Sequence, residues 1–367
     1  MSAKDKLFIL THIPSPYQVE LFNALAGSDS ISLTVGYLYS RSNSTIAKHW
    51  EQSNIKHDYL ILDDRDEQYD AVSQKISDSD LIVFNYYQHP RIEQLIDQCL
   101  KNQQKWCFWG ERPGCKHDGL LGYLYRRWKL SKLHQSPVPI WGVGNWAIAQ
   151  YQQEFGSRRE YFNLPYFSNL DRFDRPKKHE RSAEAESFVF LYSGALIHRK
   201  GVDLLATAFS KLADEFPQVK LNILGTGDLE QDLQQQLSSY QQQVEFLGFQ
   251  PWDKLPGYYQ QADVLCVPSR YDGWALVVPE GLASGLPVIS TDRTGAAIDL
   301  IEDRQNGWLI RAEDESALYN AMREAVLLSP ETLQAYSQSA LDSVKHHSLR
   351  NGVEKFEKAI SSTLEIV

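Results

Sequence analysis

Cysteine is scarce in this chain, four among 367 residues, and Cys99, Cys107, Cys115 and Cys266 show no CxxC spacing. That excludes a disulfide framework and suits a reducing compartment, so the cytoplasm is the expected location. Long apolar runs are missing too. The stretch at 7–10 gives way at once to Thr11, His12 and Pro14, too short for a signal peptide, and nothing approaches the ~18 residues that cross a bilayer. Positive charge is in deficit: 37 Lys plus Arg stand against 47 Asp plus Glu, a net charge of -10, which argues against coating nucleic acid by phosphate neutralisation. Residues 1–168 carry 18 basic and 18 acidic groups, so the whole acidic excess lies beyond them. Any anion site must be local.

Two phosphate-binding signatures are also absent. There is no GxxxxGK[ST], and after Gly225-Thr226-Gly227 the next position that GxGxxG requires is Glu230, which disfavours a nicotinamide enzyme. Asp78-Ser79-Asp80 looks like a metal-binding DxD on paper, yet it precedes an expected strand instead of following one and reads as a helix-to-strand turn. No metal and no cofactor is expected.

What is present is an ordinary globular balance, 43% hydrophobic and 23% charged, over a length that suits two domains. Short β-rich runs alternate with amphipathic helical patterns, which points to an α/β fold of two Rossmann-like, doubly wound domains. Expected strands lie at 6–13, 31–39, 58–62, 81–87, 105–109 and 139–143, and then at 187–193, 219–224, 244–247, 263–268, 287–290 and 308–310. Expected helices include 17–26, 89–104, 145–155 and 201–216. The polar stretch 169–186 reads as a linker between an N-terminal domain, 1–168, and a C-terminal one, 187–345. The closing helical segment, 346–367, need not belong to the domain before it. Two such domains face one another across a cleft, and ligands of open α/β sheets bind at the carboxyl ends of strands.

The most informative segment is 269–289. Asp272 stands in a loop, Gly273 to Ala275 offer backbone N–H groups where a helix should begin, and Glu280 follows about a turn inside it. N–H groups so placed favour a diphosphate, and the two carboxylates can accept hydrogen bonds from sugar hydroxyls. A plainer alternative has Asp272 as a helix cap and Glu280 as a solvated helix residue. Upstream, Arg199 and Lys200 sit between Gly194 and Gly201 after a strand; Lys200 can neutralise a diphosphate as a point charge and Arg199 can bind it in two-pronged fashion. The glycines make the loop tight enough for close ligand approach.

Gly194…Lys200-Gly201, then Gly225-Thr226-Gly227, then Asp272…Glu280 and Gly285-x-Pro287-Val288-Ile289 form an ordered set over about 100 residues. In this the C-terminal half resembles the retaining GT-B glycosyltransferases of the group often called family 4. The resemblance implies transfer of a sugar from a nucleoside diphosphate sugar, UDP or GDP, to a glycan, glycolipid or small-molecule acceptor, without metal, in polysaccharide or other glycoconjugate biosynthesis. It implies that Lys200 binds the donor diphosphate and that the backbone of Gly273, Trp274, Ala275 and Leu276 contacts diphosphate and sugar. Glu280 would hold the ribose, Asp272 would face the donor sugar, and the region of Phe246, Gly248 and Phe249 would hold the base. Two departures stand out: Ala195 replaces the family's Arg, and Asp272 replaces its first Glu.

The N-terminal half is similar to the family through residues 12–25, whose tip, Ser15 to Gln18, should approach the cleft. Where the family places a His near the reacting sugar, the matching strand here ends in Glu111, the candidate for that place ahead of His117 and His89. Residues 120–134 combine Arg126, Arg127, Lys129 and Lys132 with aliphatic and aromatic residues at helical spacing, suited either to packing on a sheet or to resting on anionic lipid. Ala195 and Asp272 also keep open a catalytically silent nucleotide-sugar-binding subunit. A nucleotide-sugar epimerase of the same architecture is the other alternative.

Overall fold

Every β-rich run joins one of two wholly parallel sheets. The computed structural model describes residues 4–40, 54–62, 66–87, 89–113, 119–173 and 187–366. By its internal contacts the chain forms two units, Met1–Ser168 with Leu349–Val367, and Asn169–Ser348. In the first unit β1 (Asp5–Thr11), β2 (Ile31–Tyr37), β3 (Asp58–Ile61), β4 (Leu81–Phe84), β5 (Trp106–Gly110), β6 (Ile140–Gly142) and β7 (Tyr161–Asn163) lie in the order β3-β2-β1-β4-β5-β6-β7. In the second, β8 (Phe188–Ser193), β9 (Val219–Leu224), β10 (Val244–Gly248), β11 (Val264–Val267), β12 (Val288–Thr291) and β13 (Gly307–Ile310) lie in the order β10-β9-β8-β11-β12-β13. The two doubly wound Rossmann-like sheets are thus present.

The central strands are apolar at consecutive positions because helices cover both faces. Leu7, Phe8, Ile9 and Leu10 of β1 and Leu81, Ile82, Val83 and Phe84 of β4 are all at most 1% exposed. Each sheet reverses its strand order once, between β1 and β4 in the first unit and between β8 and β11 in the second. Loops leaving the two strands at such a point diverge to opposite faces and leave room for a ligand at the carboxyl edge.

The residues after the second unit return to the first as a helix, Leu349–Ile366. Its Phe356 meets the Trp109 and Trp141 rings edge-on at 5.1 and 5.8 Å, and Trp141 Nε1 donates to Thr363 Oγ1 at 3.2 Å. Gly352 is needed there, since a Cβ would lie 2.6 Å from the Phe167 ring. The linker begins with a short turn, Leu170–Arg172, capped by the Asn169 side chain; 174–186 lie outside the described residues. The acidic pair at 78–80 is the turn between the Asp66–Ser77 helix and β4, where Asp80 Oδ2 accepts from the Lys6 backbone N–H at 2.7 Å. The helical pattern at 120–134 is two helices, Gly119–Lys129 and Ser131–Gln135, separated by Leu130 at φ -98°, ψ 24°.

Candidate functional site

In the second unit β8 runs into a loop, then a single 3-10 turn, His198–Lys200, then Gly201 at φ 69° and the Val202–Glu215 helix. A Cβ on Gly201 would stand 2.0 Å from the Pro268 carbonyl oxygen at the end of β11, and one on Gly225 would stand 1.9 Å from the Gly194 carbonyl oxygen. The sequence suggested that Gly194 and Gly201 clear space for a ligand. The structure gives glycine at 201 and 225 a further reason: loops from neighbouring strands touch there backbone to backbone, whereas a Cβ on Gly194 would stand 3.3 Å from the Tyr192 hydroxyl.

That close packing places Lys200, which follows β8, against Asp272, which follows β11, on the two sides of the strand reversal. Lys200 Nζ bonds Asp272 Oδ2, and Arg199 Nη1 lies 3.9 Å from the same oxygen while donating to the Tyr271 carbonyl at 2.9 Å. Asp272 is 8% exposed and caps no helix, for the helix starts later than the sequence suggested, at Val277 with Leu276 as its N-cap. Residues 273–276 are therefore loop. None of the backbone N–H groups of Gly273, Trp274, Ala275 and Leu276 donates a hydrogen bond among the described residues. The first three of these residues are buried, and buried N–H groups without an acceptor are rare because each forfeits its hydration. Ala275, three residues after Lys200's partner, also holds φ 69°, a conformation L-residues seldom take.

Glu280 is the other departure from the plainer alternative. Instead of a solvated helix residue it is 5% exposed on the Val277–Ala283 helix, and the Tyr259 hydroxyl donates to its Oε2 at 3.3 Å. Burial, with the Glu280 charge beside it, pushes the Tyr259 phenol far above its ordinary range, so it remains a donor. The Tyr192 phenol is raised in the same way by burial and donates to the Ala195 carbonyl at 2.8 Å. At the place assigned to the base, Gly248 ends β10 at φ 65° and its carbonyl accepts from Gly225 N–H at 2.8 Å. Phe246 packs on the core, whereas Phe249 is 44% exposed. Arg270, which the sequence did not single out, forks onto Asp203 with two bonds of 2.7 Å and so ties β11's loop to the Val202–Glu215 helix.

In the first unit Ser15 stands just before the Pro16–Ala26 helix. It is 2% exposed, and its hydroxyl donates to Gln18 Oε1 at 2.9 Å. Gln18 Nε2 in turn donates to Asn85 Oδ1 at 3.1 Å, Thr11 Oγ1 donates to the same oxygen at 2.8 Å, and Asn85 Nδ2 donates to the Trp109 carbonyl at 2.9 Å. This network joins the carboxyl ends of β1, β4 and β5. Its only sequence signal is that Thr11 and Asn85 stand at the ends of the two strands flanking the reversal. Glu111 is exposed just beyond β5; its backbone carbonyl accepts from the Tyr151 hydroxyl at 2.6 Å. His89 serves as the N-cap of the Pro90–Lys101 helix, its Nδ1 accepting from Arg91 N–H at 3.3 Å. His117 lies outside the described residues. Among the described residues no group of three or more His, Cys, Asp or Glu side chains could hold a metal ion.

Comparison with known proteins adds a family match to the second unit. Residues 174–342 match the family described as glycosyl transferases group 1. An uncharacterized glycosyltransferase of Haemophilus influenzae is 29% identical over 175 residues, 47% of this chain and 48% of the relative. A GDP-mannose-dependent alpha-(1-6)-phosphatidylinositol monomannoside mannosyltransferase of Mycolicibacterium smegmatis is 27% identical over 194 residues, 49% of this chain and 50% of the relative. The chain thus spans about half the length of these curated relatives. Among solved structures, Anabaena Alr3699/HepE in complex with UDP superimposes with a TM-score of 0.78 at 17% identity, covering 98% of this chain and 100% of that one. The apo lipopolysaccharide outer core galactosyltransferase WaaB does so with a TM-score of 0.74 at 15% identity, covering 97% and 99%. The GT-B fold expected from the sequence holds over the whole chain, and residues 174–342 of it match the glycosyl transferases group 1 family.

Proposed function

We propose that this chain, GT-B in fold with a group 1 glycosyl transferase domain in its second unit, moves a sugar from a nucleoside diphosphate to an acceptor hydroxyl, with retention of configuration and without a metal. The observation that carries the reading is the row of undonated N–H groups at 273–276 beside the Lys200 ammonium, at the strand reversal of the second sheet. As the bond from the sugar's anomeric carbon to the diphosphate stretches, negative charge grows on the leaving oxygens, and preorganised donors lower that barrier without reorganising. Lys200 exchanges Asp272 for the diphosphate, and Asp272 becomes available to a sugar hydroxyl. Glu280, held by Tyr259, accepts from the ribose hydroxyls. The acceptor oxygen bonds to the anomeric carbon on the face the diphosphate leaves, and its proton passes to a departing phosphate oxygen. No side chain is needed as a nucleophile.

The test is calorimetric titration with UDP and GDP, followed by a panel of their sugar conjugates assayed for transfer and for hydrolysis. Both bases are included because HepE was solved with UDP and the mycobacterial relative is named GDP-mannose-dependent. Binding of either nucleotide with turnover of one conjugate supports the reading; binding of neither ends it. A silent sugar-nucleotide-binding subunit is favoured by one observation, Ala195 in place of a cationic side chain, and binding without turnover on any acceptor selects it. Donor isomerisation with no acceptor present would instead reveal an epimerase. Within the leading reading, Glu111→Gln lowers turnover while leaving nucleotide affinity within about twofold, a few tenths of a kcal/mol; unchanged turnover removes Glu111 from the machinery.

A further inference from the structure

Of the ten large apolar side chains left exposed among the described residues, six stand on one helix, Gly119–Lys129 of the first unit: Leu120, Leu121, Tyr123, Leu124, Tyr125 and Trp128. Leu121 is 82% exposed, and Leu120 and Trp128 are 74% exposed each. The helix buries only Gly122. An 11-residue helix with no packed face is marginal in water, because helices of this length depend on burying a stripe. Here the stripe is complete but faces outward. At about 100° per residue, Leu120, Leu124, Trp128, Leu121 and Tyr125 fall within one arc about 140° wide, with Arg127 and Lys129 just outside its two edges.

The charge around that arc is of one sign, although the chain carries a net charge of -10. No acidic residue occurs from 119 to 135. Arg126 turns inward to Glu154 at 3.0 Å and Lys132 pairs with Asp97. The two rim cations bond only to tyrosines of their own helix, Arg127 Nη1 to the Tyr123 hydroxyl at 3.2 Å and Lys129 Nζ to the Tyr125 hydroxyl at 3.3 Å. Among the described residues neither has a carboxylate partner. A protein partner would meet the apolar arc as readily as a lipid would. It is the pair of cations along the two edges, with aromatic side chains between them, that matches a sheet of anionic headgroups over acyl chains.

We infer that the Gly119–Lys129 helix lies flat in the surface of an anionic bilayer, its leucines and Trp128 below the headgroups and Arg127 and Lys129 at their level. The inference does not depend on the sugar-transfer reading, since vesicle binding needs no donor. Full-length protein should sediment with phosphatidylglycerol vesicles and not with phosphatidylcholine vesicles, and raising the ionic strength to about 1 M should release it. Arg127→Ala with Lys129→Ala should weaken partitioning about thirtyfold, a factor of about five per cation. Leu121→Ser with Trp128→Ser should weaken it about tenfold or more. Unchanged thermal melting of these surface variants shows that they fold. Absence of sedimentation, equal binding to both lipids, or a concentration-dependent dimer that the same variants abolish would overturn the inference, the last because a second copy of the chain would then cover the helix.

Discussion

The reversal points of the two sheets share a topology and differ in chemistry. In the second unit the loops after β8 and β11 bring a cation and a carboxylate together, and four undonated N–H groups follow that carboxylate in the chain. In the first, the loops after β1 and β4 bring hydroxyls and amides together, with Thr11, Ser15, Gln18 and Asn85 satisfying one another. The loops are shaped differently as well. Pro14 and Pro16 stand in the first unit's β1 loop, whereas Gly201 and Ala275, both at φ 69°, stand in the second unit's loops after β8 and β11. A network of hydroxyls and amides that pair with one another costs little to bury, whereas unpaired donors beside a lysine are costly unless an anion completes them. One topology therefore carries open donors at one reversal and mutually paired polar groups at the other, and the side chains on four loops decide which is which.

The sharpest way to break this comparison is at Gly201. A methyl group there meets the Pro268 carbonyl at 2.0 Å and must also adopt φ 69°. Gly201→Ala should cost about 4 kcal/mol, more than strain alone, because backbone on both sides must move. Hydrogen exchange should show protection lost in β8 to β13 and kept in β1 to β7. Equal loss in both units would mean that they unfold together.

Next in size is Lys200→Ala, which should weaken nucleotide diphosphate binding by about 2–4 kcal/mol. It also leaves the buried Asp272 carboxylate to Arg199, 3.9 Å away, so stability should fall by about 1–3 kcal/mol. Adding Asp272→Asn should restore the stability without restoring the affinity, which separates the cation's two roles. Recovery of both by the second substitution would assign Lys200 to structure alone.

How much of this was legible beforehand depended on what each feature leaves in the sequence. Strand 219–224 matched end for end, and the other foreseen strands shifted by a few residues at their ends, because runs such as Leu7 to Leu10 are apolar at every position. β7, Tyr161–Asn163, was missed: three half-buried residues at a sheet edge carry neither run nor alternation. The meeting of Lys200 with Asp272, 72 residues apart, was legible because charge and glycine spacing mark both loops. The Asn85 network was not, since neutral amides have no charge signature and their partners lie up to 74 residues away. Nor did periodicity show whether the stripe on 120–134 packs or faces outward. Either fate has the same pattern.

Acid should separate the units more gently. Burial, only partly offset by Asp58, lowers the His57 pKa from 6.5 to about 4, with Tyr37 Oη 2.9 Å from its Nε2 and Asn23 Oδ1 2.8 Å from its Nδ1. His12 is lowered too, by burial and by His89. A histidine held below its unfolded value takes up a proton more readily when the chain unfolds. The first unit therefore has its full stability above about 6.5 and loses it as the pH falls toward about 4. In the second unit Asp203 is held below its ordinary 3.8: burial pushes its carboxyl up, but Arg270 outweighs that. Its contribution is lost only below that value. Protection factors followed by hydrogen exchange from pH 7 to 4 (about 1,000-fold in proton activity) should fall first in β1 to β3, and His57→Gln should flatten that fall. Earlier loosening of β8 to β13 would reverse the order.

The smallest effect concerns the loop that carries the undonated N–H groups. Ala275 adopts φ 69°, where an L-residue costs about 1–2 kcal/mol, and it is 8% exposed, so its methyl group is packed. Glycine removes the backbone cost but adds freedom to the unfolded chain worth about 0.4–1 kcal/mol. Ala275→Gly should therefore leave stability unchanged or raise it by up to about 1 kcal/mol, whereas Ala275→Val, with a branched Cβ in the same conformation, should lower it by more than the glycine change raises it. If glycine instead lowers the melting temperature, the methyl contact and not the neighbouring packing holds residues 273–276 in place. The second unit's donor-rich edge would then rest on a side chain, as the first unit's network does, and the contrast between them would narrow to which donors are left open.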